Sequence, residues 1–453
     1  MNSRLTVIKP SLEDPYKDDL LGRDKSGKVL EQMVSAFSNG CVIALHGKWG
    51  SGKTTFVQMW SKSMQQQGYT VLNYNAWEAD YIPDPIIGLI AEFKRGTEAK
   101  GKKTIEKMTK AAAKISFSMI PEIIAQISKY YTGVDWENIV KDGSKESMRI
   151  LNQCIDNYAK QKESIEDFKG ALTEYVASLQ SDKPVIYIID ELDRCNPAFA
   201  VKTLERIKHL FNVPKIVFVL SIDREQLGNS IRGYYGSDMI DGDDYLRRFI
   251  DVQYNMPTGD IEKLINSALD RFGYSEEMVK KGNSDFSLDY LKRFTTLIYR
   301  LKNLSIRQLE KWLLQTRLVM NSRTNGVSSE TILFLVYLYI FENGFYMKFK
   351  LGEIDDQSAL AFFASNFSES LFDTGGVQAY STYAVIAELI RSRYGNNDDA
   401  FVNRVLDNKG EFLIELPSAL SEKWLRDSFH AIRYIPPLYS IMNSVEMTNS
   451  ITL

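Results

Sequence analysis

Three stretches carry residues whose types and spacing fit phosphate chemistry. The first is Gly47-Lys48-Trp49-Gly50-Ser51-Gly52-Lys53-Thr54-Thr55, which fits the pattern G-x-x-x-x-G-K-[ST]. Glycines let a backbone wrap closely around a polyphosphate with its amide N–H groups turned inward. A following helix N-terminus adds partial positive charge at the same spot. In that chemistry Lys53 reaches the β- and γ-phosphates and Thr54 ligates Mg²⁺. The second stretch runs from Lys183 to Pro197 and places Asp190, Glu191, Leu192, Asp193 and Arg194 after an apolar run. Here Asp190 would hold the Mg²⁺ shell and Glu191 would orient or deprotonate the attacking water. A second carboxylate beside the metal-binding one points to hydrolysis rather than transfer to a small acceptor. The third stretch, 215–227, ends an apolar run at Ser221, which is either a γ-phosphate sensor or an N-cap for a helix over 224–232. Farther on, Arg247 and Arg248 follow the acidic segment 236–244. They either reach a neighbouring subunit's γ-phosphate as a finger or pair with the aspartates beside them.

These residues need strands that end together. Val42–Leu45, Val71–Tyr74, Val185–Ile189, Ile216–Leu220 and Ile250–Tyr254 read as strands. The fully apolar run at 185–189 is the mark of an interior parallel strand. Trp77 closes the second strand on the ligand-bearing edge, either shaping the site or packing, and Asp84-Pro85 opens a helix. Upstream, 5–20 reads as an extended arm, and Leu21-Gly22-Arg23-Asp24 opens an amphipathic helix where P-loop ATPases often place a segment against the adenine base. Residues 94–114 are basic, and 115–131 repeat Ile115, Met119, Ile123 and Ile127 around Pro121. This is either a helical insertion with a solvated charged face or a contact for a membrane surface or acidic partner. Helical spacing continues over 135–180 and resumes after 258, where Ser305 caps a helix carrying Arg307 in its first turn.

Composition sets the frame. The 453 residues exceed one core, net charge is −3, and 44% hydrophobic with 25% charged residues is ordinary globular usage. Nothing global asks for nucleic acid, and a nucleic-acid motor would need 94–114 to bind a phosphate backbone. Three scattered cysteines form no disulfide or zinc pattern, which fits a reducing cytoplasm. The N-terminus has no signal-peptide core, and Ile332–Phe341 is half the length a bilayer needs and reads as a buried helix.

The ordered series GKWGSGKT, NAW, IIDELDRC, VLSIDREQL, YLRRFIDV and SIRQLEK resembles the KAP family of P-loop NTPases over about residues 15–315. The resemblance implies an α/β fold: a parallel sheet flanked by helices over 1–257, with a helical insertion over about 94–180. It further implies a helical lid over 258–326, with an all-α domain over 327–453. It implies an ATPase using ATP and Mg²⁺ as a conformational or assembly switch, in bacterial defence against phage. It also implies a homo-oligomer with a protein partner or effector, and Arg307 as a second nucleotide sensor. Many family members carry two transmembrane helices between the two phosphate motifs. The insertion here lacks that apolar length, leaving a peripheral membrane contact open. Two other chemistries fit the same loop: a nucleotide-binding scaffold without turnover, and a small-molecule kinase.

Overall fold

A computed structural model describes residues 13–96, 102–117, 145–210, 213–236, 240–280, 287–322, 327–367, 377–418, 420–432 and 438–449. Residues 5–12, 135–144 and 237–239, with Met119, Pro121, Ile123 and Ile127, lie outside them. The chain divides into two compact units, Val7–Pro257 and Thr258–Leu453.

The first unit runs α1 (Asp24–Ala36), β1 (Cys41–His46), α2 (Lys53–Gln66), β2 (Val71–Asn75), α3 (Pro85–Arg95), α4 (Lys102–Phe117), α5 (Lys145–Ser178), β3 (Val185–Asp190), α6 (Pro197–Leu210), β4 (Ile216–Ile222), α7 (Arg224–Tyr235), α8 (Gly242–Leu246) and β5 (Val252–Asn255). All strand pairs are parallel, in the order β2-β3-β4-β1-β5. Every residue of β3 and β4 is buried, because helices cover both faces of the sheet. The two-residue period splits the strands between two cores. Ile43, Leu45, Ile186, Ile188, Val217 and Val219 pack against Leu30 and Val34 of α1 and Phe56, Trp60 and Met64 of α2. Tyr187, Ile189, Phe218 and Leu220 face the other way, onto α3 to α7.

Local signals explain most element ends. Asp84 caps α3 by accepting from Ile86 N at 3.0 Å, with Pro85 in the first turn. The Arg206 guanidinium grips the Asp84 carboxylate in turn, through Nε at 3.2 Å, tying α6 to α3. The segment before α1 departs from the extended expectation. Residues 15–18 form a turn, and the Asp19 carboxylate accepts from the backbone N–H groups of Leu21, Arg23 and Asp24. The Asp19 carboxylate therefore satisfies the open N-terminus of α1. At the other end of the unit β5 begins at Val252, two residues later than the apolar run suggests. Residues 247–249 are still turning, and the Asp251 carboxylate is spent on Val42 N at 2.8 Å.

Of the basic segment, 94–95 and 102–114 are helical and 97–101 lie outside the described residues; the apolar residues of the described part face inward. Ile105, Met108, Ala111, Ala112 and Ile115 of α4 pack with Phe168, Leu172 and Tyr175 of α5 in the same core as the sheet. Lys107 pairs with Glu174 at 2.7 Å on the outer side. No single helix among the described residues is long and apolar enough to cross a membrane.

The second unit is helical: α9 (Ile261–Arg271), α10 (Glu276–Lys280), α11 (Leu288–Leu301), α12 (Ile306–Ser322), α13 (Ser329–Phe341), α14 (Asn343–Lys350), α15 (Asp356–Asn366), α16 (Val377–Arg391), α17 (Asp398–Val402), α18 (Glu422–Ala431) and α19 (Leu438–Asn449). Ser305 caps α12 as expected, through a reciprocal pair with Gln308: Gln308 N donates to Ser305 Oγ and Ser305 N to Gln308 Oε1. Leu309, Trp312 and Leu313 are wholly buried, and residues 329–338 of α13 are buried all round.

Candidate nucleotide site

β1 delivers the chain to Gly47, and α2 takes it up again at Lys53. Between them the backbone must bend back on itself. Gly52 meets this need with φ +82°, a left-handed conformation that costs other residues about 1–2 kcal/mol. Gly47 leaves the inside of the bend open: a Cβ there would stand 3.0 Å from Ser51 Oγ and 3.2 Å from Lys53 Cγ. Lys53 is buried, with 8% exposure, and its ammonium donates to the carbonyls of Gly47 and Lys48, the latter at 3.2 Å. Burial pulls its pKa down, while Asp193, Asp223 and Asp190 oppose that by favouring the charged form. The result is a cation enclosed by the loop with acids around it.

Asp190 ends β3 in register with Ser221 of β4 and with Asn75 of β2. Its carboxyl is buried and pushed up by that burial, against the hydroxyls of Ser221 and Thr54, which favour the carboxylate. Ser221 does not cap α7. It lies inside the strand, wholly buried, with its hydroxyl short of any full hydrogen bond, and Asp223 does the capping through Gln226 N. Thr54 and Thr55 are half-buried in the first turn of α2.

Glu191 follows with φ +61° and ψ +24°, left-handed in a non-glycine residue. Its two carboxylate oxygens take Arg194 at 2.7 Å and Asn75 Nδ2 at 3.2 Å. The Arg194 guanidinium also lies over the ring of Trp77, 5.5 Å from its centroid. Trp77 is 51% exposed, so it is not buried in packing, one of the two sequence readings. On the opposite flank His46 accepts from Arg224 N at Nδ1, and burial lowers its pKa. Beside it a polar cavity of about 410 Å³ opens between Lys48, Asp223, Arg224, Gly228, Gly242 and Gln253.

The arginines are placed differently. Arg247 and Arg248 are exposed just past α8. Arg247 pairs with Asp244 at 2.9 Å, and Arg248 lies near the Tyr245 ring, 5.9 Å from its centroid. Arg307 is exposed in the first turn of α12 and belongs to the other unit.

The donor set suits a nucleotide with a hard cation. The bend is lined by backbone and one enclosed ammonium, and the oxygens of Thr54, Asp190 and Ser221 converge beside it. No group of three or more His, Cys, Asp or Glu among the described residues forms a metal cage on its own. Mg²⁺ asks for none, since one or two protein oxygens, phosphates and water complete its shell. Sequence reasoning missed Asn75, His46 and Asp223 as members of the site. The polar residue ending each strand was the signal for Asn75 and His46.

The family model described as the KAP family P-loop domain matches residues 23–339, well over half of the chain. The chain belongs to the KAP family. As a KAP P-loop protein it is a nucleotide-binding NTPase. It is also similar to the phage T7 exclusion protein of Escherichia coli K12, at 21% identity over 265 residues and 54% of this chain. The chain spans about a third of that relative's length, 33%. Among solved structures it matches the Aeropyrum pernix ORC2 protein, described as ADPNP–ADP complexes. The identity is 11%, the TM-score 0.35, and the match covers 94% of this chain and 99% of that one.

Proposed function

We propose that this KAP protein binds ATP with Mg²⁺ at Gly47–Thr55 and hydrolyses it to switch conformation or assembly, as part of defence against phage. The observation that carries the reading is the meeting of Lys53 and Thr54, in the first turn of α2, with Asp190 and Ser221, level on β3 and β4. Lys53 would hold the β- and γ-phosphates. Thr54 and Asp190 would hold Mg²⁺, which neutralises charge as the phosphoryl group leaves. Ser221 would meet the γ-phosphate, and Glu191 would turn a water toward it. Arg247, Arg248 and Arg307 would join from neighbouring subunits or units. The similarity to a phage exclusion protein supports the biological role. A cytoplasmic homo-oligomer with a protein effector fits a module whose product is a changed interface.

One observation favours a second reading, a nucleotide-binding scaffold without turnover. Both Glu191 oxygens already accept, from Arg194 and Asn75, which weakens them as bases toward an attacking water. The deciding measurement is Mg²⁺-dependent ATP turnover by wild type, Lys53→Ala and Glu191→Gln, with size-exclusion chromatography in ADP and in ATP. The switch reading expects turnover by wild type alone and a larger species for Glu191→Gln with ATP. Tight ATP binding without turnover in wild type, lost in Lys53→Ala, would establish the scaffold instead.

A further inference from the structure

The outer arc of the P-loop, Lys48 to Gly50, has little packing of its own, and Trp49 stands 46% exposed. Yet it is held at two points by the same residue. The Trp49 backbone N–H donates to Asp223 Oδ2 at 2.9 Å, and its indole N–H donates to the Asp193 carboxylate. Asp223 follows β4 and Asp193 lies in the turn after β3, so two strand ends grip one loop residue from two sides. Asp193 is itself buried, faces Lys53, and follows Glu191 by two residues. An exposed tryptophan needs no buried carboxylate to satisfy its indole, because water would serve. A buried carboxylate, in contrast, is costly unless it is used.

We infer that Asp193 is a positioning residue for nucleotide binding: through the Trp49 indole it holds the outer arc of the P-loop in the curvature that receives polyphosphate. This rests on the nucleotide reading above. Fixing the arc before binding removes an ordering cost that would otherwise be deducted from affinity. The same contact joins the phosphate cradle to the turn that carries Glu191, so the two phosphate motifs move as one piece.

The test is a double-mutant cycle on MgATP affinity in the full chain, using Trp49→Phe, Asp193→Ala and the pair, with Asp193→Asn as the conservative variant. A hydrogen bond to a charged partner is worth about tenfold in affinity. Each single change should weaken binding by about that factor, the pair should be no weaker than either single, and Asp193→Asn should recover binding relative to Asp193→Ala. In turnover assays the loss should fall on KM, whereas Glu191→Gln should act on kcat. Losses that multiply in the pair would overturn the inference. A second readout needs no nucleotide: the indole N–H resonance of Trp49, assigned by its absence in Trp49→Phe, should exchange slowly with solvent in wild type and rapidly in Asp193→Ala. Rapid exchange in wild type would also overturn it. If wild type and Lys53→Ala bind ATP equally, the nucleotide reading fails, and the indole exchange still judges the tether.

Discussion

Glu191 concentrates the demands placed on this site into one residue. Its backbone is left-handed, which a residue with a Cβ adopts at a cost of about 1–2 kcal/mol. Such strain persists only where the surroundings enforce it, and it clusters at functional sites. Here Arg194 and Asn75 hold the side chain that the backbone presents. The strain can be isolated by comparing two variants that lose the same carboxylate. Glu191→Gly should be more stable than Glu191→Ala by about 1 kcal/mol in denaturant unfolding, with both inactive in turnover. Equal stabilities would mean that the backbone at 191 is free to relax.

At the scale of elements, the helical unit hides a second unusual carboxylate. Glu388 of α16 is buried and accepts from Ser328 N at 3.0 Å, Ser328 Oγ at 2.6 Å and Thr331 Oγ1, all at the start of α13. Burial raises its pKa more than these donors lower it. A group whose pKa is raised in the fold contributes stability that is complete below its unfolded value and lost as pH rises through the folded one. The denaturant midpoint of the α13–α16 packing should therefore fall as pH climbs above the ordinary glutamate range. Glu388→Gln should flatten that slope, as read by unfolding curves across pH 4.5 to 8. A slope unchanged in Glu388→Gln would assign it to other groups.

The elements also show what was legible beforehand. Lys53, Thr54 and Asp190 could be read because each lies within a few residues of the strand or helix that places it. Ser221 could be read as a polar residue ending an apolar run, but its place opposite Asp190 depends on strand order. The Asn75–Glu191 and Trp49–Asp193 contacts could not be read, since they join residues 116 and 144 positions apart and depend on strand order. Asp19 was missed as the cap of α1 because it acts from five residues upstream of the first helical residue, beyond the usual cap position. Of the apolar stripe read over 115–131 only Ile115 falls among the described residues, and it packs with α5; the inward residues Ile105 and Met108 of the basic segment were not read as a stripe.

For the whole molecule, the P-loop and its partners all lie in Val7–Pro257, so ligand should stabilise that unit directly. A ligand that binds only the folded state at a hundred times its Kd adds about 2.7 kcal/mol. Calorimetry with MgATP should move the transition of this unit upward, and Lys53→Ala should abolish the shift. An immobile transition in wild type would exclude binding at that concentration.

The register of the sheet has a consequence for how such a chain can vary. Asp190, Ser221 and Asn75 come level because each strand contributes a fixed number of steps before its polar residue. One residue added inside β3 would turn Ile186 and Ile188 from one core to the other and carry Asp190 past its neighbours. The same residue added in the turn at 181–184 leaves the strand register in place and disturbs only exposed contacts such as that of Lys183 with Gln67 O. Length can therefore drift in an outer turn such as 181–184 and hardly at all within the strands. A scan of single-residue insertions should find the five strands, the P-loop and the turn at 191–194 intolerant, and the turn at 181–184 permissive.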